Sequence, residues 1–268
     1  MFARAVQLTQ GFTRPLIVST RLADGTVTSG CAAFVVVNDK GWMVTASHVM
    51  SELVAYKQQS AAPSDTADPA RITNVSYWWG KDGVTVAELT VDGLADLAVG
   101  RLEPFDPREV GTYPTFGNSA RPLLPGTALC RLGFPFHAIG AAFVEATGQF
   151  QLAEGTLPLP LFPLDGIHTR LYNVVDPASH RQASFLEVST PGLSGQSGGP
   201  VFDSDGVVWG IQSRTVHLPL GFNPKVTVGD REVEEHQFLN VGLAAHVDEV
   251  VRLLRSRGAK VAVSGRPG

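Results

Sequence analysis

The chain consists largely of short apolar runs, many of them rich in valine, separated by turn signals such as Ala-Asp-Gly and Asn-Asp-Lys-Gly. Runs of this length between turn residues are typical of β-strands. The first half predicts a short helix over 3–10 and an exposed loop over 57–71. It also predicts six strands, at residues 15–21, 31–38, 42–46, 72–79, 84–91 and 96–102.

A second group of strands follows a Pro- and Gly-rich segment, 103–124, interpreted as the crossing between two halves. Segments 155–183 and 216–236 have no clear period and predict irregular functional or mobile loops. Apolar spacing over Leu243–Ser256, with Gly258 as a stop, predicts a C-terminal helix. This order indicates an all-β barrel or sandwich pair. The predicted strands of this half are 128–133, 143–152, 185–188 and 207–213.

Composition and charge exclude several classes of function. The net charge of −4 and the lack of a long basic run argue against a nucleic-acid partner. No run of 18 apolar residues predicts a membrane span, and the N-terminal segment predicts no secretory signal. Two cysteines cannot form a disulfide framework. We expect a cytoplasmic protein, or else a periplasmic or secreted one whose signal has been removed.

The segment LSGQSGG, residues 193–199, carries the candidate nucleophile. Glycines around a serine allow a sharp turn that exposes the hydroxyl. Ser197 fits the pattern G-x-S-x-G fully, and Ser194 fits it loosely. Either serine would need a general base, a carboxylate that orients the base, and backbone N–H groups for the oxyanion.

One chain order that supplies these groups is that of the α/β-hydrolases, in which the acid and the histidine follow the serine. The residues after Ser197 argue against it, because they predict a strand, a tight turn at Asp205-Gly206 and another strand instead of a helix. The downstream candidates for that order are Asp230, Asp248, His236 and His246.

The other chain order places a histidine and an aspartate before the serine. His48 ends an apolar strand in TASHV, Asp96 opens the apolar DLAV, and Ser197 lies in GQSGGPVF. These three motifs resemble those of the chymotrypsin-like (trypsin-like) serine peptidases over residues 15–255. The DLAV form and the closing helix are most similar to the bacterial HtrA/DegP-type branch, and no following PDZ-like domain is expected.

The resemblance implies a fold of two six-stranded antiparallel β-barrels with a C-terminal helix and a site in the cleft between the barrels. The first barrel is expected over 15–115, the second over 125–242 and the helix over 243–257. Closed barrels leave few exposed strand edges, which suits the many short strands.

The resemblance also implies roles for five residues. Ser197 would be the nucleophile, His48 the general base and then acid, and Asp96 the group that orients His48. The N–H groups of Gly195 and Ser197 would form the oxyanion hole, where a glycine can adopt a conformation that a Cβ disfavours. Ser213 would donate a hydrogen bond to Asp96.

Two departures from the family pattern concern activation and cysteine pairing. Gln196 replaces the aspartate that receives a new N-terminus in secreted members, so no activation by N-terminal insertion is expected. Cys31 and Cys130 lie where secreted members place half-cystines, but the partner positions hold Val49 and Asp203. We expect both cysteines to be unpaired core residues.

Substrate preference is expected from the residues around the specificity pocket. Pro191 takes the position that lines the base of that pocket in the family, which favours a small or medium apolar residue over lysine or arginine. Arg214 and Thr215, after Ser213, are expected on the strand that pairs with the substrate backbone. Arg214 could attract acidic substrate groups, although a solvent-facing side chain is the favoured interpretation.

Together these features predict a serine endopeptidase that acts on a protein or peptide substrate without a cofactor or a metal. The remaining histidines lack metal-ligand spacing. Latent activity, released by a regulatory protein partner, is expected if segments 155–183 and 216–236 hold the oxyanion loop misaligned. The alternatives are a protein-binding module with a silent site on the same scaffold and, more remotely, an α/β-hydrolase esterase.

Overall fold

The computed structural model describes residues 1–61, 68–229, 231–234 and 237–265. A short N-terminal helix precedes the strands of the first half, and a 3₁₀ turn follows the third strand. The elements of this half are α1 Ala3–Thr9, β1 Thr13–Leu22, β2 Val27–Val36, β3 Trp42–Ala46, the 3₁₀ turn Ser47–Met50, α2 Ser51–Ala61, β4 Ile72–Trp79, β5 Thr85–Asp92 and β6 Leu97–Glu103.

The second half contains longer strands and the C-terminal helix. A 3₁₀ turn, Pro107–Glu109, lies in the segment that connects the two halves. The elements of this half are β7 Thr115–Phe116, β8 Ala128–Gly133, β9 Ala141–Val144, β10 Gln149–Leu152, β11 Phe162–Val175, β12 Gln182–Val188, β13 Pro200–Phe202, β14 Val208–Pro219, β15 Lys225–Val228, β16 Arg231–Glu234, β17 Phe238–His246, α3 Val247–Ser256 and β18 Ala262–Val263.

The first barrel is a six-stranded antiparallel sheet in the order β4-β1-β2-β3-β6-β5. Strands β3 and β6 are buried almost throughout and β2 in its second half, which explains their continuous apolar runs. In the neighbouring pair β3–β6, Ala46 is opposite Leu97. The C-terminal end of β3 and the N-terminal start of β6 therefore lie side by side at one rim of the barrel.

The second barrel is a closed ring of six strands. Strand β13 pairs with both β8 and β14, and β11, β12 and β17 complete the circle. Two short strands, β7 and β18, extend this sheet in parallel beyond β14. The expected fold class, two antiparallel β-barrels with a C-terminal helix, is confirmed, with these two short strands as an addition to the second barrel.

The two segments predicted to be irregular are largely strands, so that prediction is wrong. Most of 155–183 belongs to β11 and its connection to β12, and 216–236 contains the end of β14 together with β15 and β16. Strand β11 pairs with β8 at one end and β12 at the other. Pairing with distant strands thus overrides a local pattern that Pro, Asp and His interrupt.

Three boundaries differ from those predicted. The run 143–152 is a hairpin, because Gly148 adopts φ +67° in a turn between β9 and β10. Residues 57–61 extend α2, while 62–67 of that predicted loop lie outside the described residues. The C-terminal helix starts at Val247 and not at 243, because Leu243 to Ala245 pair with β12 and β14 as part of β17.

An ion-pair cluster joins the first barrel to the second. Asp92 ends β5, and its carboxylate, 5% exposed, accepts hydrogen bonds from Arg181 and Arg252. Arg252 lies on α3 and also pairs with Glu249 at 2.9 Å. Asp92 further accepts from Ala95 N at 3.2 Å, so the cluster holds the turn that leads to Asp96.

Replacing Asp92 by asparagine is expected to lower the free energy of unfolding by about 1–3 kcal/mol, less than for a fully buried pair because both arginines are partly exposed. Burial raises the pKa of Asp92, but hydrogen bonds from the two arginines outweigh it and lower the pKa. The stabilisation is therefore present above the unfolded-state pKa of about 4 and lost as the pH falls through the lower folded-state value. Urea unfolding across pH measures both effects.

Asp39→Asn is the matched control, because Asp39 and Lys40 form an exposed pair at 3.6 Å. We expect it to change the free energy of unfolding by less than about 0.5 kcal/mol. Equal losses in the Asp92 and Asp39 variants would show that the cluster does not stabilise the joined barrels.

Candidate active site

His48 and Asp96 lie at the shared rim of β3 and β6. His48 is in the 3₁₀ turn directly after β3, and Asp96 directly precedes β6. Asp96 has φ +52°, a left-handed conformation that aspartate adopts more readily than most residues. Its carbonyl accepts from Ser47 N at 3.1 Å. The strand register therefore brings the histidine and the aspartate together across 48 residues of chain.

The Asp96 carboxylate is 7% exposed and accepts four kinds of hydrogen bond. His48 donates from its backbone N at 2.9 Å and faces the carboxylate with Nδ1 at 2.9 Å. Ser47 Oγ donates at 2.8 Å, and Ser213 Oγ from the second barrel donates to Oδ2. Burial raises the pKa of Asp96, but these hydrogen bonds and the His48 charge lower it to about 2. The carboxylate is therefore charged at neutral pH.

Ser197 lies in the loop between β12 and β13, with its hydroxyl facing His48. The distance from Ser197 Oγ to His48 Nε2 is 3.0 Å, within reach of proton transfer. The His48 side chain is 47% exposed, so its ring borders the open cleft. Ser197, His48 and Asp96 thus form one continuous hydrogen-bonded chain.

Two backbone N–H groups of the serine loop make no hydrogen bond. Within the described part of the chain, neither Gly195 N nor Ser197 N donates to an acceptor. Gly195 has φ +94°, and a Cβ there would lie 2.4 Å from the carbonyl oxygen of Phe134. Glycine is needed at this position for both its conformation and its lack of a side chain.

The serine loop is packed against the backbones of both barrels. Ala33 N of β2 donates to Ser197 O at 2.8 Å, and Gly198 N donates to Gln212 O of β14 at 2.8 Å. A Cβ at Gly198 would lie 2.1 Å from Ala33 O, and one at Gly199 would lie 2.0 Å from a β8 carbonyl. The glycines of the motif therefore allow the loop to pack closely between the backbones of the two barrels.

Gln196 holds the loop from within. Its side chain is fully buried, its Oε1 accepts from Leu193 N at 3.1 Å, and its backbone N donates to Leu193 O at 2.9 Å. The side chain lies against Gly133, where a Cβ would meet Gln196 Cα at 2.5 Å. An internal amide thus supports the loop at the position where secreted relatives carry an aspartate.

A cavity of about 290 Å³ opens beside Ser197. Ser194 is exposed at its edge, and Thr215 Oγ1 donates to Gly192 O across it at 2.7 Å. Pro191 is half-buried and does not line the cavity, so its expected place at the pocket base is not supported. The lining residues are His48, Gly192, Leu193, Ser194, Ser197, Gln212, Ser213, Arg214 and Thr215.

The strand beyond Ser213 follows a β-bulge in β14. The register between β14 and β17 shifts between Gln212 and Arg214, and bulges of this kind redirect side chains near active sites. Arg214 is exposed, with its guanidinium carbon 5.2 Å from the Phe185 ring centroid. Strand β13 reaches only the start of β14, at Val208–Ile211. The carbonyl of Ser213 accepts from Ser197 Oγ at 3.4 Å, and in the described residues no strand pairs with that edge of β14 from Arg214 onward.

Both cysteines are free thiols. Burial raises the pKa of Cys31 to about 12 and that of Cys130 to about 11, with Asp165 adding to the latter. Both are therefore protonated at neutral pH and unsuited to nucleophilic attack. The helices of the described residues include none that is long and apolar enough to cross a membrane.

Three residues at the site were not foreseen. Ser47 donates to Asp96, Gln212 lines the cavity, and Arg131 lies behind Gln212, with Nη1 donating to its Oε1 at 3.1 Å. Arg131 could have been recognised from the sequence, because it is the single charged residue in the apolar run 128–133. Ser47 and Gln212, next to His48 and Ser213, carried no signal of their own.

The sequence model of the trypsin-like peptidase domain matches residues 31–211, which is more than half of the chain. The protein therefore belongs to the trypsin-like peptidase domain family. No curated protein sequence matches it.

Solved structures with a similar fold include HtrA-type proteases. A variant of AlgW with a tripeptide matches 96% of this chain and 63% of its own, with 14% identity and a TM-score of 0.52. An AlgW variant with a decapeptide matches 97% and 68%, with 14% identity and a TM-score of 0.55. The active form of the Rv3671c protease from M. tuberculosis matches 97% and 86%, with 16% identity and a TM-score of 0.53.

The chain spans just under two thirds of the first AlgW chain, and at these identities the likeness concerns the fold alone. Family and fold together show a trypsin-like peptidase domain with a chymotrypsin-like double barrel, so the resemblance inferred from the three motifs is confirmed. The α/β-hydrolase alternative is wrong, because Ser197 is followed by β13 and not by a helix. Of its candidates, Asp230 and His236 lie outside the described residues.

Gly195→Ala is expected to lower the rate of peptide hydrolysis by about 10²–10³-fold, the usual cost of losing one oxyanion donor. The Cβ would meet the Phe134 carbonyl and displace the Gly195 N–H. Steady-state kinetics on a fluorogenic peptide measures the loss.

Gly126→Ala is the matched control. Gly126 has φ +90°, close to that of Gly195, but a Cβ there meets open space. It carries the same backbone strain without the clash. Equal activity of the two variants would contradict the role assigned to the Gly195 loop.

Proposed function

We propose that the protein is a serine endopeptidase that cleaves peptide bonds through an acyl-enzyme intermediate. The observation that carries the proposal is the hydrogen-bonded chain from Ser197 Oγ through His48 to Asp96, beside two N–H groups that have no acceptor within the described residues. A nucleophile, its base, an orienting carboxylate and oxyanion donors are the parts that acyl transfer requires.

In the first half of the reaction, Ser197 Oγ attacks the carbonyl carbon of the scissile bond while His48 Nε2 takes its proton. The carbonyl oxygen becomes an oxyanion that accepts hydrogen bonds from Gly195 N and Ser197 N. His48 then gives its proton to the leaving amine as the carbon–nitrogen bond breaks. The product amine departs, and the acyl group stays on Ser197.

In the second half, a water molecule gives a proton to His48 and attacks the acyl carbon. The bond between that carbon and Ser197 Oγ then breaks, His48 returns the proton to Ser197 Oγ, and the second product leaves with its new carboxyl group. Asp96 keeps His48 in the tautomer with a proton on Nδ1 and stabilises the imidazolium in both halves. The low pKa of Asp96 supports this role, because the carboxylate stays ionised at neutral pH.

A protein or peptide substrate is supported by the open edge of β14. An extended peptide can add to the edge at Arg214–Thr215 by main-chain hydrogen bonds, with one side chain directed into the cavity beside Ser197. An endopeptidase needs such an open cleft because the chain continues on both sides of the cleaved bond.

Two alternatives are retained as outcomes of the test. A protein-binding module would use the same cleft with a silent site. Partner-regulated activity would need the serine loop misaligned in the isolated chain, whereas the 3.0 Å contact of His48 with Ser197 favours competence without a partner.

A fluorophosphonate probe tests the nucleophile. We expect covalent labelling of the wild type and of Ser194→Ala, and none of Ser197→Ala, since only Ser197 contacts His48. Intact-protein mass spectrometry measures the adduct, and a casein assay measures endopeptidase activity.

Labelling that persists in Ser197→Ala and disappears in Ser194→Ala would overturn the assignment. A wild type that resists the probe and leaves casein intact would favour the silent binding module. Labelling that requires an added partner protein would instead support regulated activity.

A further inference from the structure

A buried arginine without an acidic partner lies behind the cavity beside Ser197. Arg131 is on β8, and its side chain is fully buried. Its Nη1 donates to Gln212 Oε1 at 3.1 Å, and its Nη2 donates to the carbonyl and the hydroxyl of Thr190. In the described residues, Nε has no partner and no carboxylate contacts the guanidinium. All its acceptors are therefore neutral.

This arrangement is costly for the fold. A buried cation normally pairs with an anion, because neutral acceptors replace only part of its lost hydration. Burial lowers the pKa of Arg131 to about 10, which still leaves the group charged at neutral pH. The buried carboxylate of Glu187 is paired with Arg170 at 2.9 Å and does not contact Arg131. The uncompensated charge therefore points to an anion from outside the described residues.

The guanidinium lies where two walls of the cavity meet. Thr190 directly precedes the loop that forms one wall, and Gln212 belongs to the other. Gly242 of β17 makes room for it, since a Cβ there would lie 2.1 Å from Arg131 Nη1. Gly242 is also paired with the lining residue Thr215. The positive charge is thus buried directly behind the Gln212 wall of the cavity.

Gln212 connects this charge to the cavity itself. Gln212 lines the cavity although the residue is only 1% exposed. Its Oε1 accepts from Arg131, and its Nε2 is packed against the opposite wall, where a Cβ at Gly192 would lie 2.2 Å from it. Its hydrogen bond to Arg214 O is long, at 3.4 Å. An amide N–H polarised by a guanidinium is a strong donor to a carboxylate.

From these contacts we infer that the cavity accepts an acidic side chain, glutamate or aspartate, at the substrate residue before the cleaved bond. The substrate carboxylate accepts from Gln212 Nε2 and compensates the charge of Arg131. The inference rests on the proposed peptidase function and replaces the small or medium apolar residue expected from Pro191. Arg131 acts through Gln212 and is a positioning residue.

Matched fluorogenic peptides that differ only in glutamate or glutamine at this position test the inference in the wild type. We expect kcat/KM to be about 10- to 100-fold higher for glutamate, the usual effect of a charge-assisted hydrogen bond. Peptides with leucine and lysine complete the set and should be cleaved more slowly than the glutamate peptide. Equal rates for glutamate and glutamine, or faster cleavage after leucine, would overturn the inference.

Two variants locate the preference. In Arg131→Met, similar in length but neutral, kcat/KM should become about equal for the glutamate and glutamine peptides. In Gln212→Glu the glutamine peptide should be cleaved faster, because the new carboxylate pairs with Arg131 and repels the acidic substrate. Arg214→Gln is the matched control and should keep the ratio. Loss of the ratio in Arg214→Gln alone would assign the preference to the exposed arginine and overturn the role of Arg131.

Fluorophosphonate labelling of every variant separates the two hypotheses. A wild type that is labelled and cleaves peptides without an acidic preference refutes only the specificity. A wild type that is neither labelled nor active refutes the peptidase function. If Arg131→Met does not fold, the preference of the wild type for glutamate over glutamine and its reversal in Gln212→Glu still test the inference.

Discussion

The close approach of the serine loop to two barrel backbones is the constraint on which the rest of the site depends. Ala33 of the first barrel donates to the carbonyl of Ser197, and Gln212 of the second accepts from Gly198. No Cβ fits at Gly198 or Gly199 without meeting a carbonyl oxygen at about 2 Å. Because these contacts are to backbone atoms, which cannot rotate away, the loop position is determined by the relative position of the barrels.

Hydrogen bonds across the cleft complete this coupling. Asp96 belongs to the first barrel, yet one of its carboxylate donors is Ser213 of the second. Asp92, four residues earlier, is held by arginines of the second barrel and of α3. The carboxylate that orients His48 is thus supported from both barrels, which limits its rotation and keeps it ionised.

Behind the same cleft lies a buried charged group, the guanidinium of Arg131, that does not stabilise the fold. Arg131 has only neutral hydrogen-bond acceptors, an Nε with no partner and no counter-ion within the described residues, in contrast to Glu187 and Asp92, whose charges are paired. Buried charges without partners destabilise a fold and are retained where binding compensates them. This contrast separates the paired charges, which join parts of the structure, from the unpaired charge of Arg131, on which the proposed acidic specificity rests.

Local sequence was enough to predict most of the strands and to select Ser197 as the candidate nucleophile. Apolar alternation, turn residues and each of the three motifs extend over only a few neighbouring positions. Tertiary structure decided what depends on distant partners. Strand β11 forms across an aperiodic segment because β8 and β12 pair with it, and α3 starts only at Val247 because the preceding residues pair in β17. The placement of Arg131 behind Gln212 depends on which face of β8 points into the second barrel. No local pattern carries that information, since it arises from contacts between residues far apart in the chain.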